Sequence, residues 1–134
     1  MKPTRPLATV LTEINANTPN PADRGTWLRF DSLLAEVFQR DEDLTPAIDT
    51  LLSLFERFPR HDGYGVLSGV IQGLERIKGY EHPLVASVQR CPTDLSVSML
   101  QRLQKSGVKR VGEVDVATLI AWGSKHAPEI DWTL

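Results

Sequence analysis

The sequence predicts an all-α fold of about seven short helices. Apolar side chains recur at intervals of three and four residues along nearly the whole 134-residue chain, the spacing that places them on one face of a helix. No segment shows the sustained apolar–polar alternation of a half-buried strand. A chain of this length is the size of one domain, so we expect a single helical domain over 1–134, with 128–134 as a tail.

The first two predicted helices are separated by a loop. A short amphipathic helix follows Pro6, because four apolar side chains repeat at helical spacing up to Ile14. The segment 15–24 contains two prolines, three asparagines and no periodicity, which is typical of a loop. A second apolar stripe then runs from Trp27 to Phe38.

Proline and glycine mark the third and fourth helices. Thr45 followed by Pro46 predicts an N-cap with proline at the first helical position, and Pro59 ends the same helix. Asp62 is then in position to cap a fourth helix. That helix contains glycines at four-residue spacing, which predicts the close approach of a neighbouring backbone to a smooth face. These glycines are Gly65, Gly69 and Gly73.

The last three helices are predicted from caps and breakers. Pro83 opens the fifth helix, and Thr93 or Asp94 caps the sixth, which Gly107 closes. Asp115 caps the seventh, in which Trp122 is expected to turn inward, and the stretch before Asp115 is predicted to be an irregular connector. The predicted helix starts at 45, 83 and 115 lie about 30 to 40 residues apart, which is compatible with antiparallel helix pairs stacked as a HEAT-like helical repeat.

Charge is unevenly distributed, although the net charge is only −2. Residues 1–67 contain seven Lys/Arg and ten Asp/Glu, whereas residues 68–134 contain eight and seven. The acidic bias centres on Asp41, Glu42 and Asp43. This segment is interpreted either as a solvated loop, the ordinary place for acidic side chains, or as part of a binding surface.

The sequence contains one cluster of basic residues. Proteins that bind single-stranded nucleic acid also need aromatic residues on which the bases stack, and none is interleaved with this cluster. A solvated face, or a favourable position near the negative end of a helix dipole, accounts for this cluster. Together with the near-neutral net charge, it gives no indication of a nucleic-acid partner. The cluster consists of Arg102, Lys105, Lys109 and Arg110.

The chain has no sequence signal for export or membrane insertion. The single cysteine, Cys91, excludes an intramolecular disulfide. The first residues lack the apolar core of a signal peptide, and no apolar stretch approaches the roughly 18 residues needed to cross a bilayer. We therefore expect a cytoplasmic, soluble protein without a membrane partner.

Candidate catalytic groups are few. His61, His82 and His126 lie near predicted helix ends, and none has a His, Cys or Asp at the spacing of helical metal sites, so they are interpreted as exposed side chains. Cys91 is interpreted as a small buried hydrophobe, with a Cys91–His82 nucleophile pair as the alternative. The stretch 63–69 has the spacing GxGxxxG, one residue too long for a dinucleotide loop. We expect no metal, no cofactor, no small-molecule substrate and no enzymatic activity.

Short fragments between Phe55 and Leu119 carry a family resemblance. The fragments are Phe58-Pro59, Asp62-Gly63-Tyr64-Gly65-Val66, Gly73-Leu74-Glu75, Gly79-Tyr80-Glu81, Leu84-Val85, Ser87-Val88, Arg90, Pro92, Met99-Leu100, Arg102-Leu103 and Gly107-Val108. In these fragments the chain resembles HEAT-like immunity proteins, a group of small helical proteins encoded beside bacterial polymorphic toxins. The N-terminal helices show no motif of that group.

The resemblance implies a protein that binds and blocks one toxin domain, delivered by contact-dependent, Rhs-type or type VI secretion machinery. No catalytic residues are attributed to such proteins, and their contact residues differ between members. The function expected is therefore neutralisation of a cognate bacterial toxin by occlusion. The alternatives are a non-enzymatic adaptor or assembly subunit with a helical-repeat binding surface, and an enzyme built around Cys91 or a histidine. The sequence leaves the oligomeric state open.

An acidic surface would suit a basic toxin such as a nuclease, because complementary charge speeds association. We hypothesise that Asp41, Glu42, Asp43, Asp62 and Tyr64 form that surface, on the assumption that their two loops lie at the same end of antiparallel helices. Neutralising the three loop acids together is then expected to slow association at low salt.

Overall fold

The computed structural model describes residues 5–17, 19, 23–61, 63 and 65–129. The predicted all-α fold is confirmed: seven helices pack against one another, with one small two-stranded sheet in the described part of the chain. The helices are α1 Leu7–Ala16, α2 Arg24–Phe38, α3 Ile48–Arg57, α4 Val66–Glu75, α5 Glu81–Arg90, α6 Asp94–Lys105 and α7 Val116–His126.

The helices form two rows. The odd-numbered helices α1, α3, α5 and α7 contact one another in series, and so do the even-numbered helices α2, α4 and α6. The rows are joined by contacts between consecutive helices, namely α1 with α2, α3 with α4, and α5 with α6, while α7 packs on both α5 and α6. When helix pairs stack, each helix contacts the next but one along the chain, as it does here.

One hydrophobic core runs through both rows of helices. Its buried side chains extend from Val10 on α1 to Leu119 on α7, and the largest fully buried ones include Trp27 and Phe55. Burying a side chain of this size stabilises the fold by about 1.5–3 kcal/mol. No helix in the described ranges has the length and apolar character that a membrane span requires.

The start of the third helix differs from the prediction. Thr45, Pro46 and Ala47 form one turn of 3₁₀ helix, and α3 follows directly at Ile48. Thr45 is therefore inside the turn and Leu44 is the N-cap residue. The turn is capped instead by the side chain of Asp43, two residues before Thr45: its carboxylate accepts hydrogen bonds from the Thr45 backbone N–H at 2.9 Å and from the Thr45 hydroxyl at 2.6 Å. Pro46 lies where a backbone donor is not needed, as predicted.

Two later helices have the caps that the sequence predicts. Thr93 rather than Asp94 caps α6: its hydroxyl accepts from the Ser96 backbone N–H at 3.1 Å, in a capping box. Asp115 caps α7 by accepting from the Thr118 backbone N–H at 3.2 Å. The predicted cap of α4, Asp62, lies outside the described residues, as does the part of the predicted tail beyond 129.

The stretch before α7 is a β-hairpin, not an irregular connector. Strand β1 is Arg110–Val111 and strand β2 is Val114–Asp115, and the two pair antiparallel. Gly112 makes the turn with a φ of +60°, a conformation that glycine adopts without steric cost. Two-residue strands are too short to show period-two alternation, so the sequence gives no signal for them.

The predicted smooth glycine face of the fourth helix is wrong. Gly65 precedes α4, and a Cβ atom added to Gly69 would meet open space. Only Gly73 is in close contact: a Cβ there would lie 2.2 Å from the Phe38 ring carbon Cε1. The neighbour that Gly73 accommodates is therefore an aromatic side chain at the end of α2, and not a helix backbone.

Candidate partner-binding surface

The acidic segment forms the loop between α2 and the 3₁₀ turn, and the carboxylates of Asp41, Glu42 and Asp43 are all exposed. The exposure agrees with both interpretations of this segment, the solvated loop and the binding surface. The three acids differ in the hydrogen bonds and ion pairs that their carboxylates form with other residues of the protein.

Arg40 anchors this loop to the helices. Its side chain is only 4% exposed, although it belongs to a surface loop. It donates from Nη1 to Glu42 Oε1 at 2.8 Å and from Nη2 to the backbone carbonyl of Arg5. Arg5 in turn pairs with Glu13 of α1 and Glu36 of α2, each at 2.6 Å. The chain of contacts therefore ties the loop to the first two helices.

These contacts also affect the ionisation of the carboxylates. The hydrogen bonds from Arg5 lower the pKa of Glu36, and the hydrogen bonds from Thr45 lower the pKa of Asp43. Both groups are therefore held in the charged form more firmly than a free side chain would be. Asp43 therefore keeps its negative charge throughout the neutral pH range.

The three acids have different tasks. Glu42 pairs with Arg40, and Asp43 caps the turn, so both serve the loop's own structure. Asp41 is exposed and has no hydrogen bond or ion pair among the described residues. Asp41 is thus the carboxylate of the loop that a partner can reach without breaking an internal contact.

The described neighbours of the other two predicted site residues lie elsewhere along α2. Asp62 and Tyr64 are outside the described residues, but their neighbours His61 and Gly63 pack against Trp27, near the start of α2. The acidic loop follows the end of α2, on the order of 15 Å further along the helix axis. The sequence hypothesis assumed that the two loops lie at the same end of antiparallel helices. The described residues of the two loops lie instead at opposite ends of α2.

The acidic loop instead faces the connector between α4 and α5. The two segments enclose a cavity of about 320 Å³ at the end of α2, and Arg76 and Lys78 of the connector line it together with Arg40. Two exposed cations thus lie beside the acidic loop. These two cations were not predicted as site residues, because a count of charges along the chain does not show which residues the fold brings together.

A second surface feature is apolar and lies on α7. Trp122 is 39% exposed, so the prediction that it turns inward is wrong. Its ring stacks on that of His126, with 4.9 Å between the ring centroids. Beside it, Val114, Thr118 and Leu119 line an open hollow of about 510 Å³. An exposed aromatic side chain next to an apolar hollow is typical of a contact surface.

The histidines and the cysteine do not form the alternative catalytic pair. His61 is buried, at 4% exposure, and not exposed as predicted: it stacks parallel to Trp27, with 5.7 Å between the ring centroids, and accepts the Gly63 backbone N–H at 2.7 Å. His82 and His126 are exposed, and Cys91 is half-buried where full burial was expected. His82 and Cys91 lie at opposite ends of α5, about 13 Å apart along the axis, so no hydrogen bond joins them.

Two of the four residues of the basic cluster form contacts within the protein. Arg102 pairs with Glu75 of α4 at 2.8 Å, and Arg110 donates to the Glu113 carbonyl at 2.8 Å. Within the described ranges, no group of three or more His, Cys, Asp or Glu side chains could hold a metal ion.

No protein-family model, no curated protein and no solved structure matches this chain. The resemblance to immunity proteins therefore stays a prediction.

Proposed function

We propose that this chain is an immunity protein, which binds a cognate bacterial toxin domain and neutralises it by covering it. The observation that carries the proposal is the exposed acidic loop, which is held in place by ion pairs and caps rather than left free. The sequence resemblance supports the same function. No catalytic step is needed for this mode of action.

An anchored loop is suited to tight binding. Ordering a flexible loop on association costs conformational entropy, which lowers affinity. In this protein the cost is already met in the free state, because the buried Arg40 guanidinium and the Asp43 cap hold the loop against α1 and the 3₁₀ turn. The proposed partner meets a surface that is already in its bound shape.

The local charge pattern favours specificity. Asp41 offers a free negative charge in the acidic loop, while Arg76 and Lys78 offer positive charges across the cavity that its loop neighbours Glu42 and Asp43 line. A surface of mixed sign attracts a partner with the complementary arrangement and repels one with the reverse arrangement. Under this proposal, a basic group of the toxin contacts Asp41, and the neighbouring cations exclude toxins of the wrong pattern.

Co-expression tests the proposal. The chain is expressed together with the toxin domain encoded beside its gene, and growth is compared with that of cells making an unrelated toxin domain. We expect rescue from the first toxin only. Absence of rescue, with a different protein retained in a pull-down from the native cell, would show that the adaptor function is the correct one.

Asp41→Asn tests the surface. We expect association with the purified toxin domain, measured by stopped-flow fluorescence at low salt, to slow by about twofold to fivefold, because one steering charge is lost. The matched control is Asp31→Asn, which removes the same charge from an exposed position on α2. Equal rates for the two variants would rule out the acidic loop as the contact surface.

The apolar hollow at Trp122 favours a second candidate, an adaptor that binds through α7. Truncating Trp122 to serine removes the exposed aromatic ring from this surface and leaves the acidic loop unchanged. If rescue by co-expression survives Trp122→Ser but another cellular partner is lost from the pull-down, the chain acts as an adaptor through that surface. If both survive, the hollow is not a binding site.

A further inference from the structure

The exposed side of α7 carries a regular stripe of four side chains. Asp115, Thr118, Trp122 and Lys125 are all exposed and follow one another at intervals of three, four and three residues. This spacing places them in one line along a helix, and it is the spacing of the contact positions in helices that pair side by side. The stripe begins with a carboxylate at the N-cap of α7 and ends with an amine in its last turn.

The two charged ends of the stripe form no ion pair within the described ranges. Asp115 accepts hydrogen bonds from the Thr118 N–H at 3.2 Å and from the Thr118 hydroxyl at 2.5 Å, both on the same carboxylate oxygen. These bonds lower the pKa of Asp115, and the nearby Arg110 adds to the effect, so the carboxylate is charged at neutral pH. Arg110 itself donates to the Glu113 carbonyl at 2.8 Å. Asp115 and Lys125 are therefore available to charges outside the protein.

The aromatic side chain of the stripe is held in place beside a hollow. The Trp122 ring stacks on His126, whose Nδ1–H donates to the Trp122 carbonyl at 2.8 Å. The hollow next to it, of about 510 Å³, is bounded by Val114 of β2 and by Thr118 and Leu119. Its volume is within the range of pockets that accept small molecules, so it has room for one aromatic side chain. A ring that is ordered beforehand loses little conformational entropy on binding.

The stripe is complementary to a second copy of itself. When two copies of α7 pair antiparallel about a two-fold axis at residue 120, Asp115 of one protomer lies opposite Lys125 of its partner. In the same register Thr118 lies opposite Trp122, so each Trp122 ring lies over the hollow of the other protomer. The symmetry makes every contact occur twice, and the antiparallel helix dipoles attract each other.

The described residues that follow α7 leave the stripe uncovered. Ala127, Pro128 and Glu129 lie beside α6, where they line a separate hollow with Val97 and Gln101. The chain therefore turns away from the side of α7 that carries Trp122.

We propose that the chain forms a two-fold homodimer through α7, in which Trp122 of each protomer fills the hollow of its partner and Asp115 pairs with Lys125. The interface consists of one helix pair with two aromatic side chains, each of which buries about 150–250 Å². Its total area is below the roughly 1,200 Å² of a stable interface, so we expect a weak dimer with a Kd of about 10–100 µM. The toxin proposal is separate, because the chain alone forms the dimer and the test contains no toxin.

Sedimentation equilibrium of the full chain measures the association. We expect the average mass to rise from the monomer value toward twice that value between about 5 and 500 µM, a range that brackets the expected Kd. Trp122→Ser is expected to stay monomeric over the same range. Leu28→Ser is the matched control, because Leu28 is the other large apolar side chain that is exposed in the described part of the chain, and it lies on α2. This control is expected to associate as the wild type does.

A charge reversal tests the proposed ion pairs. Lys125→Glu replaces two attractive contacts of the dimer by two repulsive ones, and we expect association at low salt to weaken by about tenfold. Lys105→Glu is its control, since it makes the same reversal at an exposed position in the last turn of α6. The control is expected to leave the Kd unchanged.

A zero-length carbodiimide cross-link identifies the register. Within one chain Asp115 and Lys125 lie about 15 Å apart along α7, too far for a direct amide bond, so a link between them joins two copies. We expect mass spectrometry of a mixture of isotope-labelled and unlabelled chains to find this link between a labelled and an unlabelled peptide.

Each of three results contradicts the proposal. A monomer at every concentration shows that a second copy does not cover the hollow. An equal loss of association in Trp122→Ser and Leu28→Ser indicates unspecific contact between apolar side chains. A dimer that gives no link between Asp115 and Lys125 has its interface on another face or in another register.

Discussion

At the scale of single residues, two glycines of α4 meet opposite surroundings. Gly73 lies under the Phe38 ring, and a Cβ there would be 2.2 to 2.6 Å from three ring carbons. Gly69 lies one turn earlier and faces open space. Both lie inside a helix, where glycine is less favourable than alanine by up to about 1 kcal/mol. The two positions therefore separate the effect of a close contact from that of helix propensity.

We expect Gly73→Ala to destabilise the fold by about 1–2 kcal/mol, because the new methyl group forces Phe38 from its place. We expect Gly69→Ala, its control in the same helix, to stabilise the fold by up to about 1 kcal/mol. The measurement is urea unfolding followed by circular dichroism at 222 nm. A gain in stability for both variants would show that the Phe38 ring moves aside at no cost.

At the scale of elements, the most buried cap is that of α6. Thr93 and Ser96 are both buried, and their hydroxyl and backbone groups form a reciprocal set of hydrogen bonds. The cap thus satisfies donors that solvent cannot reach. Asp115 provides an equivalent bond at the start of α7, but there the side chain is exposed.

Thr93→Val keeps the shape of the side chain and removes the acceptor. We expect a loss of about 1–2 kcal/mol in the free energy of unfolding, since the Ser96 N–H is left buried without its partner. Ser98→Ala is the control, because it removes a serine hydroxyl from the same helix at a position that is not a cap. A loss of equal size in both variants would mean that the cap has no special effect.

The sequence predicts those elements whose signals are local. The caps at Thr93 and Asp115 were predicted because each side chain bonds a backbone group only three residues later. The burial of His61 was not predicted, because it depends on Trp27 of a distant helix. The same holds for Gly73 and its contact with Phe38. Contacts between helices are set by tertiary packing, which helical periodicity does not specify.

The candidate surface was predictable only in part, for the same reason. The composition of the loop was enough to predict that Asp41, Glu42 and Asp43 are exposed. It could not show that Arg40 is buried beneath them, or that Arg76 and Lys78 lie opposite. These cations belong to a different connector, and only the stacking of α2 on α4 brings them beside the loop.

At the scale of the whole molecule, ion pairs link helices that are next but one in the chain. Glu56 of α3 pairs with Arg90 of α5 at 2.6 Å and also accepts the buried Ser87 hydroxyl at 2.9 Å. Glu75 of α4 pairs with Arg102 of α6 at 2.8 Å. Each pair therefore joins two helices of the same row. Such contacts strengthen the stacking of helix pairs, on which the position of the acidic loop beside the α4–α5 connector depends.

The Glu56 contact should make stability depend on pH. The hydrogen bond from Arg90 lowers the pKa of Glu56 in the folded state, so the folded protein binds a proton there less readily than the unfolded chain does. The stabilisation is therefore complete above the unfolded pKa, near pH 4 to 5, and is lost as the pH falls through the lower folded value.

Glu56→Gln removes this dependence. We expect the variant to be less stable than the wild type at pH 7 by about 0.5–1 kcal/mol, since the pair is partly exposed to solvent. The difference should shrink as the pH is lowered, because below the folded pKa the wild-type carboxyl is also neutral. Glu113→Gln, at an exposed turn position, is the control and should follow the wild type throughout. Urea midpoints measured from pH 7 to pH 3 give the comparison, and a constant difference between Glu56→Gln and wild type over that range would show that the ion pair does not hold α3 to α5.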